Sequence, residues 1–228
     1  MHTARLLMRE PFFAALSRRI DKISSTAAPT AGVRVNPDSA QFEMLYNPEF
    51  MGSLSDKHLQ GILMHEFYHL IFEHVTGRKP VDGLKKIDNI AMDLSINCHI
   101  ADYLPCDANP GPNINGEPMK ACIPGEGIFK DLPSFKSYEW YLEELKKMGE
   151  DNESGDGEGD GLGNADSLDY HDDFGETDGT TQEIAKERLK DTIKKAAEEA
   201  EKSRNWGTVS SSMRSEIMER ISTKIDWR

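Results

Sequence analysis

Two histidines four residues apart, His65 and His69, with Glu66 between them, form the arrangement in this chain best suited to chemistry. On an α-helix, residues four apart lie about 40° apart around the axis and one turn along it, so both imidazoles can reach one metal ion. Glu66 then stands beside them as the base that takes a proton from the activated water, and not as a ligand. The flanking residues predict that helix. Residues 56–76 contain no proline, Ser53 or Ser55 can cap the start and Gly77 can end it. Leu59, Ile62, Leu63, Leu70 and Ile71 supply an apolar face. The plainer alternative is a buried helix whose histidines only satisfy hydrogen bonds; the helical context and the acids downstream favour a metal.

A catalytic zinc site takes three protein ligands and leaves one position open, so a third ligand is needed. His74 lies five residues beyond His69, and on a continuing helix that turns it by about 140°, away from the shared ion. It reads as a core residue, a residue behind the ligands, or a cation at the helix end. A longer three-histidine motif is absent too, with Val75 and Phe72 at two of its fixed positions. A second helix, over residues 87–97, offers a better candidate. Asn89, Asp93 and Asn97 fall on one polar stripe, with Ile90, Leu94 and Ile96 available for packing. An oxygen of Asp93 can complete the site, and Asn97 can orient a ligand from behind. Asp88, His99 and Asp102 are the other candidates, and a solvated face or a bond between helices is the plainer reading of the stripe.

The chain resembles the family of metallopeptidase domains that commonly precede a von Willebrand A-like domain in bacterial proteins, with relatives in phages. The likeness runs in order through Pro11-Phe12-Phe13, Tyr46-Asn47-Pro48-Glu49-Phe50, His65 to His74, Asn89 to Asn97 and Ile225-Asp226-Trp227-Arg228. It covers nearly the whole chain. The resemblance implies a zincin-like fold, zinc as cofactor, metal roles for His65 and His69, the base role for Glu66 and a ligand role for Asp93. It also implies a protein or peptide substrate, held in extended form along an exposed sheet edge above the metal helix. No von Willebrand A-like domain follows Arg228, so the expectation is a stand-alone form or one whose C-terminal partner domain is missing.

Composition narrows the partners. The formal charge of −13 disfavours nucleic acid and anionic membrane surfaces, and a basic protein or peptide is the better electrostatic match. With 37% hydrophobic and 29% charged residues, the chain can bury a substantial core while leaving some of its length outside it. No stretch is long and apolar enough to span a bilayer, and Arg5, Arg9 and Glu10 interrupt the apolar run that a secretion signal would need. The expected location is the cytoplasm. Cys98, Cys106 and Cys122 are odd in number and lack zinc-ribbon spacing, so they read as reduced thiols.

One α+β domain over residues 1–228 is expected, rich in helix with a small sheet beside the histidine helix. Thr3 to Ile23 reads as an amphipathic helix that Pro11 can split. Val33-Arg34-Val35 and Gln41 to Tyr46 read as strands around the turn at Asn36-Pro37-Asp38-Ser39. Residues 105–133 form a long Pro/Gly-rich connection, after which Ser137 can cap an aromatic-rich helix. An acidic, Gly-rich insertion spans 149–179, and a helical C-terminal segment spans 180–228. Within the insertion, the run 156–161 superficially suggests a calcium loop but has Ser167 where the bidentate Glu belongs. His171 could reach the metal site, to stabilise the reaction oxyanion or to occupy the fourth metal position as an inhibitory lid. The functional expectation is a zinc metallopeptidase; the alternative is an inactive, zinc-stabilised protein-interaction module.

Overall fold

Proline cannot donate a backbone hydrogen bond, and Pro11 sits in the first turn of helix α1, Pro11–Ser17, where no such bond is needed. The computed structural model describes residues 9–78, 80, 83–114, 116–153 and 177–222. Beyond α1 the helical reading to Ile23 is corrected. Asp21–Ser24 form strand β1, exposed at all four residues. Its backbone pairs parallel with β3, Phe42–Tyr46, from Asp21 opposite Glu43 to Ser24 opposite Tyr46. Tertiary pairing overrides the helical pattern there, because no alternation of buried side chains marks the strand.

Strand β2, Ala31–Val35, completes the sheet in the order β1-β3-β2 and pairs antiparallel with β3. The hairpin turn is fixed by Asn36, whose Oδ1 accepts from the backbone N–H groups of Asp38 and Ser39. Asn47 then caps the short helix α2, Pro48–Ser53, and Ser55 caps α3, Asp56–Ile71. Further along come α4, Lys86–Asn97, a two-stranded hairpin of β4, Asn113–Ile114, with β5, Glu117–Pro118, and α5, Tyr138–Glu153. The helices α6, Gly179–Ser203, and α7, Ser211–Ile221, close the order. The architecture is α+β, with helices predominating over two small sheets. No described helix is long and apolar enough to cross a membrane.

Helix α3 lies at the centre. Every residue from Gly61 to Ile71 is buried, which requires packing on all sides. The sheet meets it through β2, and α1, α4 and the turn at Ala101–Tyr103 pack around it. Phe13 of α1 lies against Phe67 and edge-on to Tyr68, with ring centroids 6.2 and 5.4 Å away. Each such ring stabilises the fold by about 1.5–3 kcal/mol through removal from water. Glu10, just before α1, is buried and accepts from the Thr208 backbone N–H at 2.7 Å and from Gln60 Nε2 at 3.2 Å. Burial pushes its carboxyl above the usual range. Glu10 therefore ties the N-terminal segment both to α3 and to the turn before α7, a role with no signature in the sequence.

Helix α3 also stops earlier than residue 76. Glu73 adopts a left-handed φ of 61°, which breaks the helical path after Ile71. Arg220 of α7 donates to the Ile71 carbonyl at 3.2 Å, satisfying one of the acceptors left at that end.

Near the other end of α3, a Cβ on Gly61 would lie 2.2 Å from the Tyr103 carbonyl oxygen. Helix propensity alone makes Gly→Ala favourable by about 1 kcal/mol. Here the clash with backbone reverses the sign, and Gly61→Ala is expected to destabilise by about 1–3 kcal/mol. Chemical denaturation measures it; a variant more stable than the unaltered protein would refute the close approach.

Candidate metal centre

The central helix supplies two of the three converging donors. His65 and His69 are one turn apart on α3 and both are fully buried, with their Nε2 atoms 3.1 Å apart. The third comes from α4, which packs beside α3 with Asp93 facing it. Asp93 Oδ1 lies 3.5 Å from His65 Nε2 and 3.6 Å from His69 Nε2. A short aspartate side chain can reach only because the two helices lie close together. Among the described residues, His65, His69 and Asp93 are the group of histidine, cysteine and acidic side chains close enough to hold one ion.

The spacing fits a small tetrahedral cation. Ligand atoms about 2.0–2.1 Å from such an ion stand about 3.3–3.4 Å from one another. The three observed separations of 3.1, 3.5 and 3.6 Å bracket that value. The donor set of two imidazole nitrogens and one carboxylate oxygen is the kind that holds a divalent transition metal or zinc. Glu66, next to His65, is likewise wholly buried. Placing Glu66 and Asp93 both out of water is costly for their charged forms unless positive charge shares the site, and a divalent ion supplies it.

The support behind His65 is specific. Asn97, one turn beyond Asp93 on α4, places its Oδ1 2.8 Å from His65 Nδ1. Its Nδ2 donates to the Cys122 carbonyl at 2.9 Å, which fixes the amide orientation. His65 Nδ1 therefore carries the proton and donates, leaving Nε2 with its lone pair toward Asp93. The connection over residues 105–133 is thus part of the site's support, and it contains the β4-β5 hairpin and a turn at Gly127–Phe129 rather than an unstructured loop.

His74 comes back to the site from an unexpected direction. Because α3 has already ended, its position does not follow the helical rotation. Its backbone N–H bonds the His69 carbonyl at 2.9 Å, and its Nδ1 lies 3.1 Å from His69 Nδ1. It touches the back of His69 and is not one of the three converging donors.

The other acids and histidines have different work. Asp88 accepts from Tyr138 Oη and from the Lys85 backbone N–H, both at 3.0 Å, and so fastens the start of α4 to α5. His99 lies in an aromatic box of Tyr68, Phe72 and Phe135, and burial pushes its pKa down. Asp102 is exposed on the turn at Ala101–Tyr103. No disulfide joins Cys98, Cys106 and Cys122. His171, the run 156–161 and the terminal Ile225-Asp226-Trp227-Arg228 lie outside the described residues. Of the readings open for His74, that of a residue behind the ligands is the one its contact with His69 matches, whereas the Cys122 carbonyl behind Asn97 and the role of Glu10 left no sign in the sequence. Both depend on a long-range approach that carries no spacing signal.

The α+β fold thus brings two histidines of its central helix and an aspartate of the neighbouring helix into one buried cluster that could hold a metal ion. Residues 2–228 match the model of the family described as "Putative metallopeptidase domain", and the chain belongs to that family. It is also similar to a protein of Thermotoga maritima, 27% identical over 112 residues that make up 46% of this chain and 28% of the relative. The chain thus spans less than a third of that relative's length. No solved structure matches the chain.

Proposed function

We propose that this protein is a zinc-dependent metallopeptidase of zincin-like architecture, in which His65, His69 and Asp93 hold the ion and Glu66 handles the proton. The observation that carries this reading is the triangle of two imidazole nitrogens and one carboxylate oxygen, with edges of 3.1, 3.5 and 3.6 Å, beside a glutamate on the same helical turn. When bound, zinc supplies the Lewis acidity that makes water a nucleophile near neutral pH. Glu66 accepts the proton from that water and returns it to the leaving amine. Asn97 keeps the His65 ring in the tautomer that offers Nε2. The substrate is a protein or peptide, and the charge of −13 favours a basic segment over nucleic acid or membrane. The proposed setting is the cytoplasm, and the proposed partner a von Willebrand A-like domain, on a separate chain or C-terminal to this one.

Complete burial of all three donors and of Glu66 favours a second reading, a zinc-stabilised interaction module, because a peptidase must admit its substrate. Incubating the zinc-loaded protein with an unbiased peptide library separates the two. Cleavage that a chelator abolishes and zinc restores supports the peptidase. Absence of any cleavage, with zinc raising the thermal midpoint, supports the module and rejects the enzyme.

A further inference from the structure

We propose that His74 is a positioning residue that lets His69 change tautomer when metal enters, an inference that rests on the metal site proposed above. His69 stands in the middle of a row of three imidazoles. Its Nε2 is 3.1 Å from His65 Nε2, and its Nδ1 is 3.1 Å from His74 Nδ1. At such a distance one nitrogen of each pair donates and the other accepts. Asn97 fixes one end of the row. Its Oδ1 only accepts, so His65 keeps its proton on Nδ1 and its Nε2 accepts.

With one proton on each ring, the metal-free row is ordered in one direction. His69 donates from Nε2 to His65 and accepts at Nδ1 from His74. With a metal ion on both Nε2 atoms, His69 must hold its proton on Nδ1 and donate to His74 Nδ1, and His74 then keeps its own proton on Nε2. Each of the three rings has one proton in both states; on His69 and His74 it changes nitrogen. A carboxylate or carbonyl, the common partner of a ligand histidine, can only accept and would serve only the loaded state. An imidazole serves both, so the buried site keeps its hydrogen bonds empty or filled.

The backbone is bent to make this contact. A left-handed glutamate is uncommon, yet Glu73 takes φ 61°, and the bond from the His74 N–H to the His69 carbonyl folds the ring back over the helix it has just left.

Nitrogen-15 NMR of the full chain, metal-free and zinc-loaded, reads the proton on each ring. The expected result is that His69 moves its proton from Nε2 to Nδ1 on loading and His74 moves its proton from Nδ1 to Nε2. A His74 proton on the same nitrogen in both states would overturn the proposal. Zinc affinity by chelator competition gives a second readout. His74→Leu, which cannot accept, should weaken binding about 10–100-fold, the scale for partners behind a ligand. His74→Asn, whose amide oxygen can replace Nδ1, should recover most of that loss. Equal affinity in His74→Leu and the unaltered protein would also overturn it, and if His74→Leu does not fold, the Asn variant and the spectra decide. Zinc uptake with these failures leaves the metal site standing, whereas no zinc uptake by the unaltered protein removes both readings.

Discussion

Replacing Glu66 with Gln is expected to leave zinc content and thermal stability close to those of the unaltered protein while lowering peptide hydrolysis at least about a hundredfold, the lower scale for losing general acid–base help. Glutamine keeps the shape and length of the side chain but cannot accept the proton from water. Glu66 is wholly buried, so a neutral amide also removes the cost of a buried carboxylate and gives no reason for the fold to weaken. Steady-state cleavage of a peptide identified from the library, with zinc quantified in the same samples, measures the effect. Equal cleavage by both proteins would show that another group moves the proton.

The second large effect concerns the ion itself. Structural zinc sites hold their metal through four protein ligands with about 10–16 kcal/mol, so one ligand carries on the order of 2.5–4 kcal/mol. His65→Ala, His69→Ala and Asp93→Ala are each expected to weaken zinc binding by roughly two to three powers of ten. Asn97→Ala, which removes only the support behind His65, should cost about 10–100-fold. Asp88→Ala provides the contrast. It breaks bonds to Tyr138 and to the Lys85 backbone, so it should lower stability by about 1–3 kcal/mol and leave zinc occupancy intact. Zinc titration of the five variants decides, and an Asp88 variant that loses metal as fully as the Asp93 variant would reject the assignment.

The parts of this site legible in the sequence are those set by helical period. The four-residue step from His65 to His69 and the stripe of Asp93 and Asn97 follow from 3.6 residues per turn, and the structure brings these four side chains together. The α+β class was legible for the same reason, since the β2-β3 hairpin and the amphipathic helices announce their own periods. What escaped depends on single torsions and long-range pairing. The early end of α3 is one case: a left-handed residue, Glu73, stops the helix ahead of Gly77, and glutamate carries no stop signal of the kind glycine does, although a place for His74 behind the ligands is among the readings open to it. Strand β1 shows no apolar alternation because all four of its residues are exposed, and only β3 makes it a strand. The Cys122 carbonyl reaches Asn97 across 25 residues of chain, and no pattern of side-chain types reports a carbonyl's position.

A crystal structure of the protein grown with zinc, with anomalous data at the zinc edge, tests the central claim most directly. The account predicts one peak within the triangle, about 2.0–2.1 Å from His65 Nε2 and His69 Nε2 and about 2.0–2.2 Å from an Asp93 oxygen. A peak bound by other side chains, or by the two histidines with Asp93 turned away and another residue in its place, would contradict it.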